Sequence, residues 1–336
     1  MSIRDFTANV ISASKVVPDG NFTNSAASGV WDLTEQFDLV KGSNWPSQSN
    51  GPSPRGFQFG GFDGSSSLDR IDVYDLTTDG NASDFGNMAE GIRFGSASGS
   101  STRIVRFGGT AGVSNRNHIK YITTATSGNE QDFGSLSAQH EQGAALSNDT
   151  RGLAGGGNWG GSNNGTIEYV TIASTGNSTD FGDLSANRTS LTGCASTTRG
   201  IFAGGTNVID YVTIGSTGDA TDFGDIDNAK SSLASVASST RGVFAGGNTD
   251  AISIEYITIS STGNTTDFGD LDSARNHPFG SCSKTKGVFS GGLLSGSGLN
   301  TGQQITIAST GNSTSFGTLT LARYYGDGAS NAHGGI

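Results

Sequence analysis

The stretch Arg199-Gly200-Ile201-Phe202-Ala203-Gly204-Gly205, followed by Ile209-Asp210-Tyr211-Val212-Thr213-Ile214 and by Thr221-Asp222-Phe223, decides the fold. Each segment is short, rich in β-branched or aromatic residues, and bounded by Gly, Ser, Thr or Asp, which is how strands read. Ser216-Thr217-Gly218-Asp219 between the last two is a tight-turn signal of the hairpin kind. A weaker small-residue segment, Ser190 to Ser196, precedes the first across a turn at Thr197-Thr198. The unit is therefore four antiparallel strands, A to D, and it carries no helical periodicity.

The unit recurs along the chain. The Phe of an Asp-Phe-Gly tripeptide falls at Phe85, Phe133, Phe181, Phe223, Phe268 and, with Ser for Asp, Phe316. A Gly-Gly pair precedes each one, at Gly60-Gly61, Gly108-Gly109, Gly155-Gly156, Gly204-Gly205, Gly246-Gly247 and Gly291-Gly292. Strand C is marked by Tyr74, Tyr121, Tyr169, Tyr211 and Tyr256, with Gln304 in the sixth copy. Four strands at this period are the signature of a propeller blade. One such sheet cannot bury both faces alone, so the copies must stack about an axis, with the Phe and Tyr residues filling the space between them.

The ends of the chain set the number of blades. Leu319 to Arg323 match Leu184 to Arg188, and Gly328 to Gly334 match Cys194 to Gly200, so the chain ends after one more strand A. The first copy, from Arg55, lacks a strand A of its own. The expected fold is all-β: a six-bladed β-propeller of four-stranded antiparallel blades over 55–336, closed by a C-terminal strand at 321–330. A seventh blade would need strands C and D from residues 30–50. Residues 1–54 do not carry the repeat, and form an N-terminal extension with one short helix near 33–41. Asp32 suits its N-cap, with Glu35 three residues later, and Gly42 suits the C-terminal cap. Trp31, Leu33, Phe37 and Val40 share an apolar face. This segment is expected either to plug the ring or to anchor it on a larger assembly, through Trp31, Phe37 and Trp45.

Composition narrows the partners. The net charge is −11 and no Lys/Arg run occurs, which argues against nucleic acid. No apolar run approaches the roughly 18 residues of a membrane helix, so no membrane insertion is expected. The first residues carry no signal-peptide core, which points to synthesis in a cytoplasm or export without such a signal. Two cysteines, Cys194 and Cys282, do not make a disulfide scaffold.

Several columns of the repeat are candidates for function. A basic residue or His opens strand A in every copy: Arg93, His140, Arg188, Lys230, Arg275 and Arg323. Around a channel mouth these would form a cationic ring for anionic sugars or a carboxylate-bearing partner. The other reading is hydrogen bonding to backbone carbonyls between blades. Arg55, Arg103, Arg151, Arg199, Arg241 and Lys286 open strand B, and ion pairing with Asp84, Asp132, Asp180, Asp222 and Asp267 is expected. The loop Gly157-Asn158-Trp159-Gly160-Gly161-Ser162-Asn163-Asn164 offers Trp159 as a sugar-stacking platform, with Asn158 and Asn163 as amide partners. Alternatively Trp159 folds back on the blade. His118, His140, His277 and His333 are scattered without metal-ligand spacing, so no metal or other cofactor is expected. The Asp-Phe-Gly copies lack the Gly-rich loop, Lys and His-Arg-Asp of a kinase.

The repeat resembles the kelch propellers, in which a basic residue opens strand A, Gly-Gly ends strand B, Tyr lies in strand C and an aromatic lies near strand D. Arg188, Gly204-Gly205, Tyr211 and Phe223 fill those places, with Phe where the family usually has Trp. The chain also resembles structural proteins of tailed, marine-type bacteriophages, in Arg241 to Gly247, Ile257 to Asp270 and the leader Ser28 to Leu33 with Asn44-Trp45-Pro46. That resemblance implies a non-enzymatic virion component (tail, fibre or capsid appendage), made in the host cytoplasm and oligomeric in the particle. It would meet other virion proteins through residues 1–54, and a neighbouring virion protein or host-surface glycan through the propeller. A propeller enzyme acting on host polysaccharide and a kelch-type interaction adaptor are the alternatives.

Overall fold

Residues 53–336 are the part of the chain described by the computed structural model; the expected helix near 33–41 and Trp31, Phe37 and Trp45 lie outside the described residues. The described residues form strands and turns and contain no helix. They build six four-stranded antiparallel sheets. Sheets 2 to 6 each take four strands in chain order. In order A to D, sheet 2 is Ser96–Gly99, Arg103–Phe107, His118–Thr123 and Gln131–Ser135. Sheet 3 is Ala144–Ser147, Arg151–Gly155, Thr166–Thr171 and Thr179–Asp183. Sheet 4 is Leu191–Ala195, Arg199–Gly204, Val208–Thr213 and Thr221–Asp225. Sheet 5 is Ala234–Ala237, Arg241–Ala245, Ser253–Thr258 and Thr266–Asp270. Sheet 6 is Phe279–Cys282, Lys286–Ser290, Thr301–Thr306 and Thr314–Thr318. Sheet 1 differs. Its strands B to D are Arg55–Phe59, Arg70–Asp75 and Ser83–Asn87, and its strand A is the C-terminal segment Asp327–Ser330, with Phe57 opposite Ala329.

The A strands touch one another in the cyclic order of sheets 1-2-3-4-5-6-1. Apolar side chains fill the space between each successive pair of sheets. Leu146, Leu153 and Phe181 of sheet 3 meet Phe202 and Val212 of sheet 4. The cycle includes sheets 6 and 1, where Phe316 and Val288 pack on Tyr74 and Leu76. The core is thus a set of apolar wedges between sheets, which is why no single sheet needs an amphipathic helix to cover it.

The Asp-Phe-Gly signature has a distinct job for each residue. The pairing between strands C and D skips Phe181, because Ile167 faces Gly182 while Glu168 faces Asp180; the same shift recurs in every sheet. Such a bulge re-aims the extra residue, and Phe181 is 2% exposed. The Gly is needed for close approach between sheets. A Cβ at Gly134 would collide with the Gly176 carbonyl of the next sheet, and one at Gly317 with the Gly80 carbonyl. The next sheet's C–D turn docks there: Gly176 N donates to the Phe133 carbonyl at 2.8 Å, and Asn177 accepts from Ser135 N at 3.1 Å.

Tyr74 does not belong to the Tyr column. Strand C residues Tyr121, Tyr169, Tyr211 and Tyr256 each stand twelve before the repeat's Phe, whereas Tyr74 stands eleven before Phe85. Val73 occupies the Tyr position instead, opposite Ser83 as Tyr169 is opposite Thr179. One step along a strand reverses the face. Tyr74 therefore turns inward, fully buried, and meets Phe316 of sheet 6 edge-on at 5.2 Å.

Candidate functional site

In an antiparallel sheet the B–C and D–A connections leave from one end, and the A–B and C–D turns from the other. The basic column before strand A and the B–C loops lie at the first of these ends, and the strand B column lies at the second. The basic column before strand A does not form a cationic ring. His140, Arg188, Lys230, Arg275 and Arg323 are buried, and only Arg93 keeps partial exposure. Each buried side chain turns into its own sheet, towards the junction of strands B and C. Arg188 donates to the Gly204 and Val208 carbonyls and pairs with Asp210 at 2.6 Å. Arg275 donates to the Gly291 and Thr301 carbonyls at 3.0 and 2.8 Å. Arg323 meets Asp72 at 3.2 Å and the Gln58 carbonyl at 3.2 Å. Lys230 pairs with Glu255, and His140 Nε2 meets the Gly156 carbonyl at 2.9 Å. Meanwhile the backbone carbonyls of His140, Arg188, Arg275 and Arg323 accept from a glycine N–H just after strand B of the preceding sheet (Gly109, Gly157, Gly247 and Gly292), with Gly157 N donating to Arg188 at 2.8 Å; in the third copy this places the working pair at Gly156-Gly157. The column thus braces its own sheet through the side chain and the preceding sheet through the backbone carbonyl, and the carbonyls and carboxylates around each buried group offset part of the cost of burying it. Burial pulls Arg275 down to about 10 and pushes His140 to about 4, so this His is neutral.

The acidic partners were missed in the sequence. Asp72, Asp210 and Glu255 stand one residue before the Tyr column position on strand C, as does Glu168, which accepts from Ser137 N at 3.3 Å rather than pairing with His140; all four are buried. The signal was the Glu-Tyr or Asp-Tyr pair of the third, fourth and fifth copies.

The strand B column also differs from expectation. Its arginines do not pair with the Asp of Asp-Phe-Gly, whose carboxylates are exposed. Four of them lie over the Tyr column, with Arg103 at 4.4 Å from the Tyr121 centroid, Arg151 at 4.6 Å from Tyr169, Arg199 at 4.3 Å from Tyr211 and Arg241 at 4.2 Å from Tyr256. Each also donates to a carbonyl after strand C of the next sheet, as Arg199 does to Ile259 at 2.8 Å.

The B–C loops are uneven. Sheets 2, 3 and 6 extend theirs into small hairpins, Thr110–Ala111 with Ser114–Asn115, Asn158–Trp159 with Ser162–Asn163, and Leu293–Leu294 with Ser297–Gly298. Trp159 lies folded back. Its indole N–H donates to the Gly156 carbonyl at 2.8 Å and its ring stands edge-on to His140 at 5.4 Å, leaving it half-buried. Asn158 closes the hairpin by accepting from Gly161 N at 2.8 Å, and Asn163 is exposed.

A second feature was not visible in the repeat. Phe94, Gln142, Ser190, Ser232, His277 and Tyr325, one or two residues before each strand A, all adopt φ between 52° and 63°. Non-glycine residues in this region are strained, of order 1–3 kcal/mol each. The reason is a collar. Phe94 N donates to the Tyr325 carbonyl, Gln142 N to Phe94, Ser190 N to Gln142, Ser232 N to Ser190 and His277 N to Ser232, at 2.7–3.1 Å. Five bonds in one sense link six residues from six sheets. Inside the collar a cavity of about 130 Å³ runs down between the A strands. Phe94, His277 and Tyr325 cluster on one side of it, with centroids 4.3 Å (Phe94–Tyr325) and 4.4 Å (His277–Tyr325) apart. Asp327 lies just below, and burial raises its carboxyl to about 7. The far end of the space between the A strands is met by the C-terminal residues: His333 Nε2 contacts Ser147 Oγ at 3.1 Å and the Gly99 carbonyl at 3.0 Å.

Among the described residues no cluster of His, Cys, Asp or Glu is arranged to hold a metal ion. Cys194 and Cys282 are buried free thiols on A strands, and burial pushes both above the ordinary thiol range. No protein-family model matches this chain, and no curated protein is significantly similar to it.

Proposed function

We propose that the described residues form a six-bladed kelch-like β-propeller, and that the chain is a non-enzymatic structural component of a tailed bacteriophage particle. The cyclic order of A strands and the six apolar wedges, the sixth joining sheets 6 and 1, support the propeller. The phage assignment rests on the sequence resemblance. The loop end of the ring is its contact face, and one observation carries that reading. The exposed large apolar side chains among the described residues are Val113, Ile252, Leu294 and Leu321, and all four lie on B–C or D–A connections. Val113, at 97% exposure, crowns the sheet 2 hairpin. The repeated basic side chains before strand A are largely occupied inside the scaffold, which leaves these uneven loops as the variable surface for recognition. Apolar tips on a rigid ring suit a neighbouring virion protein as partner.

The test is a Val113→Ser, Leu294→Ser double variant. It should fold normally and fail to enter particles in a complementation assay; normal incorporation would remove the loop face from the proposal. A host-glycan array with Trp159→Ala addresses the other partner. Loss of glycan signal in that variant, with incorporation intact, would assign the face to the host surface instead.

A further inference from the structure

We propose that the cavity inside the collar is a binding site for a small organic ammonium ion. The site is separate from the loop tips, and it does not depend on the phage reading. Asp327 is the one charged side chain lining the cavity. It is 8% exposed, and the influences on its carboxyl are burial and the distant pull of Arg106, with no hydrogen bond among them. Arg106 is itself occupied by Glu130 at 3.0 Å and the Gly108 carbonyl at 2.6 Å. A carboxylate held this way is costly unless something positive joins it. Gly95 opposite leaves the room for it, since a Cβ there would stand 2.6 Å from Asp327 Oδ2.

The aromatic side of the cavity adds the second element. Tyr325 is packed between Phe94 and His277 and is backed by Tyr324 at 4.5 Å. Aromatic rings attract cations, and Phe94, His277 and Tyr325 all line the cavity. His277 does not compete for Asp327, because burial pushes it down to about 4 and leaves it neutral. An anion would meet Asp327 unfavourably. An uncharged ligand could share a hydrogen bond but would not compensate the buried charge. The volume of about 130 Å³ corresponds to about four waters, room for a single small molecule. Gln142, Ser190 and Ser232 line the opposite side of the collar; Ser190 Oγ donates to Gln142 Oε1 at 3.3 Å, so the Gln142 amide nitrogen and the Ser232 hydroxyl are the groups offered to a polar tail. The strain in the collar fits this use, since it holds six side chains around one opening.

The experiment is calorimetric titration of the full chain with choline, and with 3,3-dimethylbutanol as its uncharged isostere, at pH 7.5. Choline should bind at least tenfold more tightly than the alcohol. Asp327→Asn, a near-isosteric change, should abolish that preference, and Tyr325→Leu should weaken choline several-fold with the melting temperature preserved. Absence of choline binding, equal binding of the alcohol, or an unchanged preference in Asp327→Asn would each overturn the proposal. If Asp327→Asn fails to fold, the Tyr325→Leu result decides.

Discussion

Replacing Arg323 by Met tests how the last strand is held to the first sheet. Arg323 and Asp72 are both fully buried and 3.2 Å apart, with Arg323 also donating to the Gln58 carbonyl at 3.2 Å. Met fills similar volume, so the loss is electrostatic rather than a cavity. Removing one partner of a buried pair costs about 3–5 kcal/mol, because the other charge is left uncompensated. Asp72 keeps two hydrogen bonds from Thr320, at 3.0 Å from the backbone N and 2.8 Å from Oγ1, which places the loss near ~3 kcal/mol. In a unit of this size 1 kcal/mol moves the melting temperature by about 2 °C, so the shift should be roughly 6 °C by calorimetry. Lys120→Met is the control. Lys120 pairs with an Asp132 that is 89% exposed, and such pairs contribute at most about 1 kcal/mol. Adding Asp72→Asn to Arg323→Met should recover part of the loss. A shift for Arg323→Met no larger than that of Lys120→Met would refute the reasoning.

Four further outcomes rest on other contacts. Gly134→Ala should destabilise by about 1–3 kcal/mol in urea unfolding, since its Cβ meets the Gly176 backbone, whereas Gly128→Ala, facing open space, should change stability by less than about 0.5 kcal/mol. Asn331→Ala should cost about 1–3 kcal/mol, because Asn331 Oδ1 accepts the Arg55 backbone N–H at 2.7 Å and clasps the two ends of sheet 1. Acidification should destabilise. His140 and His277 are held near 4, below the ordinary ~6.5, so the unfolded chain binds more protons between those values; stability is full above pH 6.5 and falls towards pH 4. Asp327, raised to about 7, acts in the opposite direction across about pH 4–7, so Asp327→Asn should steepen the rise in stability with pH. Urea midpoints at pH 5 and 7.5 read both effects.

Much of the architecture was legible because it is written as a repeat. Periodic Phe, Gly-Gly and turn signals define strands whatever their neighbours do, and the match of 328–334 to 194–200 marks a strand at the end of the chain. The structure pairs that strand, Asp327–Ser330, with Arg55–Phe59. What the repeat hid is direction. A basic residue reads the same whether its side chain faces water or a backbone carbonyl, and Arg188, Arg275 and Arg323 face inward. The one-residue offset at Tyr74 was visible as a spacing of eleven instead of twelve, yet its consequence needs the register. The collar left no residue signature at all. Phe94, Gln142, Ser190, Ser232, His277 and Tyr325 share a backbone conformation imposed by bonds between neighbouring sheets, and no one side-chain type runs through all six.

An experimental density map of the isolated chain tests the central claim most directly. The account predicts six spokes about one axis, with Asp327–Ser330 as the innermost strand of the spoke that contains Arg55–Phe59. Seven spokes, a gap between the first and sixth sheets, or a C-terminal strand paired elsewhere would contradict it.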